Sequence, residues 1–237
     1  MAEALWDHHS KSIDPDNFRG DNQYLYQSGY QYTRTITHIR NIGAADLMDR
    51  MTEDGAFGCV TMEVAGKKYS RDLLDSALEI DFLRKNMPGI ESAHILDIGC
   101  GYGRFGHRIT SVMDGVTVAC VDPVQVSKDA CRKYLHHRGC VRAFAMDEGA
   151  ISGSHFDLAV NIHSWPECHL SQIEGWLSMM KANRVKYLFV SPHSDRFHII
   201  DASGGGEFRT AIGNAGYVEI ARDSGYAWEH RLFRLDA

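Results

Sequence analysis

Three glycines at alternate positions and a histidine–carboxylate pair are the residues of this chain whose types and spacing could do chemistry. Asp97-Ile-Gly99-Cys100-Gly101-Tyr-Gly103 follows directly on the apolar run Ile95-Leu96. Glycine reaches positive φ freely and puts no Cβ in a ligand's way, so the backbone here comes close to a bound molecule. A helical pattern runs from Phe105 to Met113, so the loop also presents helix N-terminal N–H groups. Further along, Asn161-Ile-His163-Ser-Trp165-Pro-Glu167 closes another apolar run. Histidine exchanges protons near neutrality and makes His163 the first candidate for a general base. Glu167 is the second, either as base or as the group that orients it, because a helical turn would bring both onto one face. His193, in Ser191-Pro192-His193, is a third. The chain holds 13 histidines, so a hydrogen-bonded structural role for His163 and a solvated loop for His193 are the competing readings.

Two kinds of cofactor fit the glycine loop. Gly101-Tyr-Gly103-Arg-Phe-Gly106 has the dinucleotide spacing G-x-G-x-x-G, a weak signal by itself. The register that begins at Asp97 resembles motif I of S-adenosylmethionine-dependent methyltransferases. Asp97 favours the second, since a carboxylate at the strand's end attracts an ammonium and repels a pyrophosphate. The next apolar run, Val116 to Val121, ends at Asp122-Pro123. An acid about 20 residues past such a loop can accept both ribose hydroxyls, which would serve NAD equally, and Pro123 suits the start of the next helix. A plain helix N-cap is the alternative for Asp122.

Elements must hold these groups in place. From residue 94 the pattern predicts strands at 94–98, 116–121, 141–145, 156–162 and 185–191, with helices at 104–113, 126–137 and 171–182. Helix 206–214 and strands 217–222 and 229–235 complete it. This rhythm predicts an α/β fold, a doubly wound, Rossmann-like, mostly parallel sheet of seven strands with an antiparallel finish. Residues 91–237 form the cofactor-binding unit, and 1–90, polar and aromatic, form an N-terminal helical and loop extension that serves as an acceptor-site lid. Within it, Asp54-Gly55-Ala-Phe-Gly58 is a turn signal. Ser70 is a suitable N-cap and Asp72 complements the dipole of the helix that follows. Arg71 is either a solvated first-turn arginine or a guanidinium fork for the cofactor's carboxylate.

Composition narrows the function. A length of 237 residues and 44% hydrophobic content allow one large α/β domain. The net charge of −6, with no basic run, argues against a nucleic-acid partner. No run of 18 apolar residues predicts a membrane span, and the N-terminus lacks a secretory pattern. Six cysteines without a C-x-x-C pair read as reduced thiols, so a cytoplasmic protein is expected.

Several stretches together resemble the bacterial sugar O-methyltransferase family, within the class I S-adenosylmethionine-dependent methyltransferases. They are Asn17-Phe-Arg-Gly-Asp-Asn-Gln-Tyr-Leu-Tyr26, Glu53-Asp-Gly-Ala-Phe-Gly-Cys59, Ser70-Arg-Asp-Leu-Leu-Asp-Ser76, Leu96 to Arg104, and Asp157 to Cys168. The resemblance implies a cofactor site built from Asp97, Gly99, Cys100, Gly101, Gly103, Asp122, Pro123 and Asn161. Met146, Asp147 and Glu148, after the third strand, would meet the adenine, with Asp147 alternatively a turn residue before Gly149. Tyr24, Tyr26 and Trp165 would offer flat faces to a sugar ring, or else cover the sheet. Carboxylates that hold Mg²⁺ in some relatives are missing from the ends of the fourth and fifth strands, so metal-independent transfer is expected ahead of Mg²⁺. The expected partner is a small sugar or oligosaccharide acceptor, and a homodimer is expected on base rate alone. The alternatives are a methyltransferase for another small hydroxylated metabolite, an NAD-dependent oxidoreductase, and a non-catalytic cofactor-binding subunit.

Overall fold

A computed structural model of the chain describes residues 14, 16–19, 30–192, 197, 207–224 and 229–236. Its first elements are helices α1 (Tyr32–Asn41) and α2 (Ala45–Arg50), then a hairpin of β1 (Thr61–Val64) and β2 (Lys67–Ser70). The hairpin turns at Ala65 and Gly66, both with positive φ, the conformation that a tight two-residue hairpin requires. Helix α3 (Arg71–Asn86) follows, and the Ser70 hydroxyl accepts from the Leu73 N–H at 3.2 Å. That is the cap the sequence predicts.

The large sheet contains β3 (His94–Ile98), β4 (Thr117–Val121), β5 (Ala143–Ala145), β6 (Leu158–Ile162), β7 (Tyr187–Ser191), β8 (Tyr217–Asp223) and β9 (His230–Leu235). Its order is β5-β4-β3-β6-β7-β9-β8. β3 to β7 pair in parallel, and β9 lies antiparallel between β7 and β8. The crossovers include α4 (Arg104–Val112), α5 (Gln125–His137), α6 (Leu170–Ala182) and α7 (Arg209–Asn214). All seven predicted strands of the sheet are present, with the antiparallel finish.

Alternate residues of each central strand enter different cores, as expected for parallel strands covered on both faces. Ile95, Val118, Val160 and Phe189 pack with Leu73, Ile80, Ile109 and Leu135 on one face. Leu96, Ala119, Ala159 and Leu188 pack with Ile173, Leu177 and Ile212 on the other. The first cluster also takes in Ile36, Leu47 and Met48, so residues 30–90 help to cover one face of the sheet. Strand reversal of order occurs between β3 and β6, where β4 and β6 flank β3. Ligands of open α/β sheets sit beyond the carboxyl ends of strands at such a switch point.

Candidate active site

The glycine loop leaves β3 at Ile98 and enters α4 at Arg104, with φ of +70°, +54° and +81° at Gly99, Gly101 and Gly103. Backbone N–H groups of Gly99 and Cys100 donate to the Val121 carbonyl at 2.8 and 3.2 Å. The Gly101 N–H donates to Asp122 Oδ2 at 3.0 Å, and the Val124 N–H to Asp122 Oδ1 at 2.9 Å. Asp122 thus clamps the loop and caps the approach to α5 at once. Each carboxylate oxygen accepts more than one hydrogen bond, so the ribose-binding role remains open to it.

The three glycines answer to different neighbours. A Cβ on Gly99 would lie 2.0 Å from Ser164 Oγ, and one on Gly103 2.9 Å from Cys131 Sγ. A Cβ on Gly101 would meet nothing within 4 Å. Gly101 therefore faces open space, where a ligand could approach the backbone.

Two buried acids lie at the ends of the strands beside this loop, Asp97 on β3 and Asp122 just past β4. Asp97, at the end of β3, is pushed up to about 8 by burial, against the pull of Arg104. Its Oδ2 is buried without a hydrogen-bond partner among the described residues. Such an orphan is costly unless a ligand cation completes it. Burial raises Asp122 to about 6, against the N–H groups of Val124 and Gly101.

The exit of β6 carries the acceptor-side groups. The Asn161 side chain donates from Nδ2 to the Ile98 carbonyl at 2.9 Å and to Ser164 Oγ, and accepts from the Trp165 N–H at 3.1 Å. Its amide is spent on joining β6 to the glycine loop, which makes it a positioning residue. His163 is half-buried with a left-handed φ of +64°, and its N–H donates to the Ser191 carbonyl at 2.9 Å. This bend sends the chain into the single helical turn Trp165–Glu167. Glu167 is half-buried. Desolvation, and then the negative charge of Asp122, raise its carboxyl to about 7.

The ring of Trp165 is not available to an acceptor. It is fully buried and meets Phe208 edge-on at 5.8 Å, because the turn after Ser164 drives it into the core beneath β7 and α7. The adenine-side residues are also differently employed. Met146 is half-buried against the second core, Glu148 is exposed, and Asp147 pairs with Lys128 at 3.8 Å and Arg132 at 3.6 Å. Pro123 is exposed ahead of α5. Arg71 donates from Nε to Asp75 at 3.1 Å. The Cys100 thiol turns from the loop toward Cys120 and Cys131. Tyr24, Tyr26 and His193 lie outside the described residues.

A buried ion network that sequence reasoning missed supports the loop from below. Arg19 donates to both oxygens of Glu53, at 3.1 and 2.7 Å, and to Asp72 at 2.9 Å. Arg108 donates to Glu53 at 2.7 Å. Tyr102, inside the glycine loop, donates to Asp72 Oδ2, and Ser70 to Glu53 Oε2. The side chains of Arg19, Glu53 and Arg108 have no solvent exposure. Gly58 fits against Asn17, whose Oδ1 would sit 1.4 Å from an added Cβ. Beside this network, Arg104 grips Glu79 at 2.8 and 3.0 Å. The available signal is the acidic row Asp72, Asp75 and Glu79 at helical spacing on α3, all buried, which calls for cationic partners elsewhere in the chain.

No family model matches the chain, and no curated protein matches it. Solved structures do. Magnesium protoporphyrin IX methyltransferase from Synechocystis PCC 6803, solved with bound S-adenosylmethionine, aligns over 87% of this chain and 97% of its own, at 12% identity and a TM-score of 0.50. An O-methyltransferase family protein from Burkholderia thailandensis aligns over 70% of this chain at 13% identity and a TM-score of 0.52. N,N-8-amino-8-demethyl-D-riboflavin dimethyltransferase from Streptomyces davawensis aligns over 70% of this chain at 15% identity and a TM-score of 0.51. This chain spans 58% of each of the latter two. The fold is that of a class I methyltransferase. The sheet order around β3 brings the glycine loop, Asp97 and the exit of β6 to one end of the sheet.

Proposed function

We propose that this chain is an S-adenosylmethionine-dependent O-methyltransferase acting on a hydroxyl of a sugar, glycoside or oligosaccharide. The carrying observation is the convergence at one end of the sheet of an unobstructed Gly101, an orphaned Asp97 oxygen and the desolvated Glu167. These residues fit the cofactor: Asp97 matches its ammonium, Asp122 its ribose hydroxyls, and Gly101 leaves room for close backbone approach. When bound, the cofactor supplies a methyl group on a positively charged sulfur. Support for this cofactor over a dinucleotide comes from the neighbours, including the Synechocystis enzyme solved with it.

The chain's own work is to orient the acceptor and remove its proton. A sugar hydroxyl is a poor nucleophile until a base takes the proton as the new bond forms, and in-line positioning supplies much of the remaining rate. The sequence ranks His163 first for this task. Two observations favour Glu167: a carboxyl raised to about 7 and no side-chain hydrogen bond to any described residue. A base of that strength matches neutral working pH. His163 then sets the bend that aims the turn. The sugar reading draws on the stretches containing Arg19, Glu53 and Asp72, which come together in one network under the loop.

Incubation with cofactor labelled in its methyl group and a panel of monosaccharides, glycosides and oligosaccharides tests this. Label in an alkali-stable ether, lost in Glu167→Gln, is the expected result. Retained transfer in Glu167→Gln with loss in His163→Ala would return the base to His163. Label appearing only on amine acceptors would overturn O-methylation. Tight S-adenosylhomocysteine binding without turnover on any acceptor would favour the cofactor-binding subunit.

A further inference from the structure

Behind the glycine loop lies a cluster that methyl transfer does not use. Cys100 in the loop, Cys120 on β4 and Cys131 on α5 bring their sulfurs within 4.8 Å of one another. Cys120 and Cys131 are buried and Cys100 is half-buried. The first turn of α4 is shaped to them. A Cβ on Gly103 would lie 2.9 Å from Cys131 Sγ, and one on Gly106 2.9 Å from Cys120 Sγ. Both glycines are thus needed to accommodate the sulfurs, and the half-exposed Cys100 is the side from which an ion could enter.

We propose that these three thiols form a binding site for one soft monovalent d¹⁰ metal ion, Cu(I), seated beneath the cofactor loop. A metal–sulfur bond of about 2.3 Å places three thiolate sulfurs about 3.8–4.0 Å apart, so the observed spacing needs only a small contraction. All-thiolate donors select soft ions. Structural zinc takes four ligands, whereas no fourth His, Cys, Asp or Glu atom joins this group among the described residues. The donor set therefore suits an ion that accepts three-coordination. Binding exchanges thiol protons for the metal and releases them to solvent. The N-terminal end of α4, a helix of 9 residues capped by Gly103, lies against the sulfurs and favours the negative charge that results. The second cluster of metal-type donors, Glu53, Cys59 and Asp72, is already neutralised by Arg19 and Arg108. Because Cys100 sits between Gly99 and Gly101, an ion at this site would also fix the loop.

The test is an anaerobic titration of the reduced full-length protein with Cu(I), competed by a chromogenic Cu(I) chelator. One Cu(I) per chain is expected, with thiolate-to-copper charge-transfer absorbance and a three-sulfur shell in X-ray absorption. Cys131→Ser and Cys120→Ser should each weaken binding at least 100-fold, while Cys59→Ser and Cys168→Ser should not. If a core variant fails to fold, alkylation of the wild-type protein decides: bound Cu(I) should protect Cys100, the half-buried member of the cluster, and leave Cys59 and Cys168 open. Absent binding, unaltered binding in Cys131→Ser, or protection confined to Cys59 and Cys168 would overturn the proposal. Tight four-coordinate zinc with no preference for Cu(I) would overturn it as well. Because binding is read directly, the result is independent of which acceptor the enzyme methylates.

Discussion

Replacing Glu167 by glutamine should abolish methyl transfer and stabilise the protein. Burial, reinforced by Asp122, moves this carboxyl from its ordinary 4.5 to about 7. The folded state therefore holds the proton more tightly than the unfolded one. That preference contributes fully below pH 4.5 and is lost as pH rises through 7, where the folded state must keep a desolvated charge. At 1.36 kcal/mol for each tenfold change in proton affinity, the loss is at most about 3.4 kcal/mol. Glu167 retains some solvent contact, so about 2 kcal/mol is the working figure. Glutamine resembles the neutral acid at every pH. Its advantage should be near zero at pH 4.5, grow between pH 4.5 and 7, and level off above. For a chain of this length about 2 kcal/mol corresponds to a Tm higher by roughly 4–8 °C at pH 8. Paired thermal melts of wild type and Glu167→Gln across pH supply the stability half. The activity half is a kcat/KM profile that climbs tenfold per pH unit below 7 in wild type. A Tm difference that does not change with pH, or a variant that keeps wild-type activity, would refute the reasoning.

Three further outcomes follow from the site. Gly101→Ala adds a methyl group in open space at a φ of +54°, a strain of about 1–2 kcal/mol. It should fold with a Tm only roughly 2–8 °C lower yet lose S-adenosylhomocysteine binding by calorimetry. Glu53→Gln removes the carboxylate shared by Arg19 and Arg108. Leaving buried guanidinium charge under-compensated should cost about 3–5 kcal/mol in chemical denaturation. Asn161→Asp replaces the donor that faces the Ile98 carbonyl and Ser164 Oγ by an acceptor. It should cost about 1–3 kcal/mol and weaken cofactor affinity through the loop, although the side chain need not touch the ligand.

The central strands β3, β4, β6 and β7 were legible because each is a largely apolar run, and burial on both faces demands that composition. The glycine loop and Asp122 were legible for a similar reason, since close backbone approach excludes other residue types. Residues 30–70 were harder. Helices α1 and α2 are short and largely polar, and in the hairpin Thr-Met-Glu-Val alternates over only four residues while Lys-Lys-Tyr-Ser does not alternate. The ion network joins Arg19, Glu53, Asp72 and Arg108 across wide separations, and periodicity carries no record of which charges meet. Trp165 shows the same limit. Sequence places it beside the cleft, but the backbone bend at His163 and the turn after it decide that the ring enters the core.

The central claim is the cofactor, and calorimetric titration with S-adenosylhomocysteine, with NAD run in parallel, addresses it most directly. The account predicts micromolar binding of S-adenosylhomocysteine alone, lost in Gly101→Ala. Binding of NAD alone, or S-adenosylhomocysteine binding that survives Gly101→Ala unchanged, would contradict it.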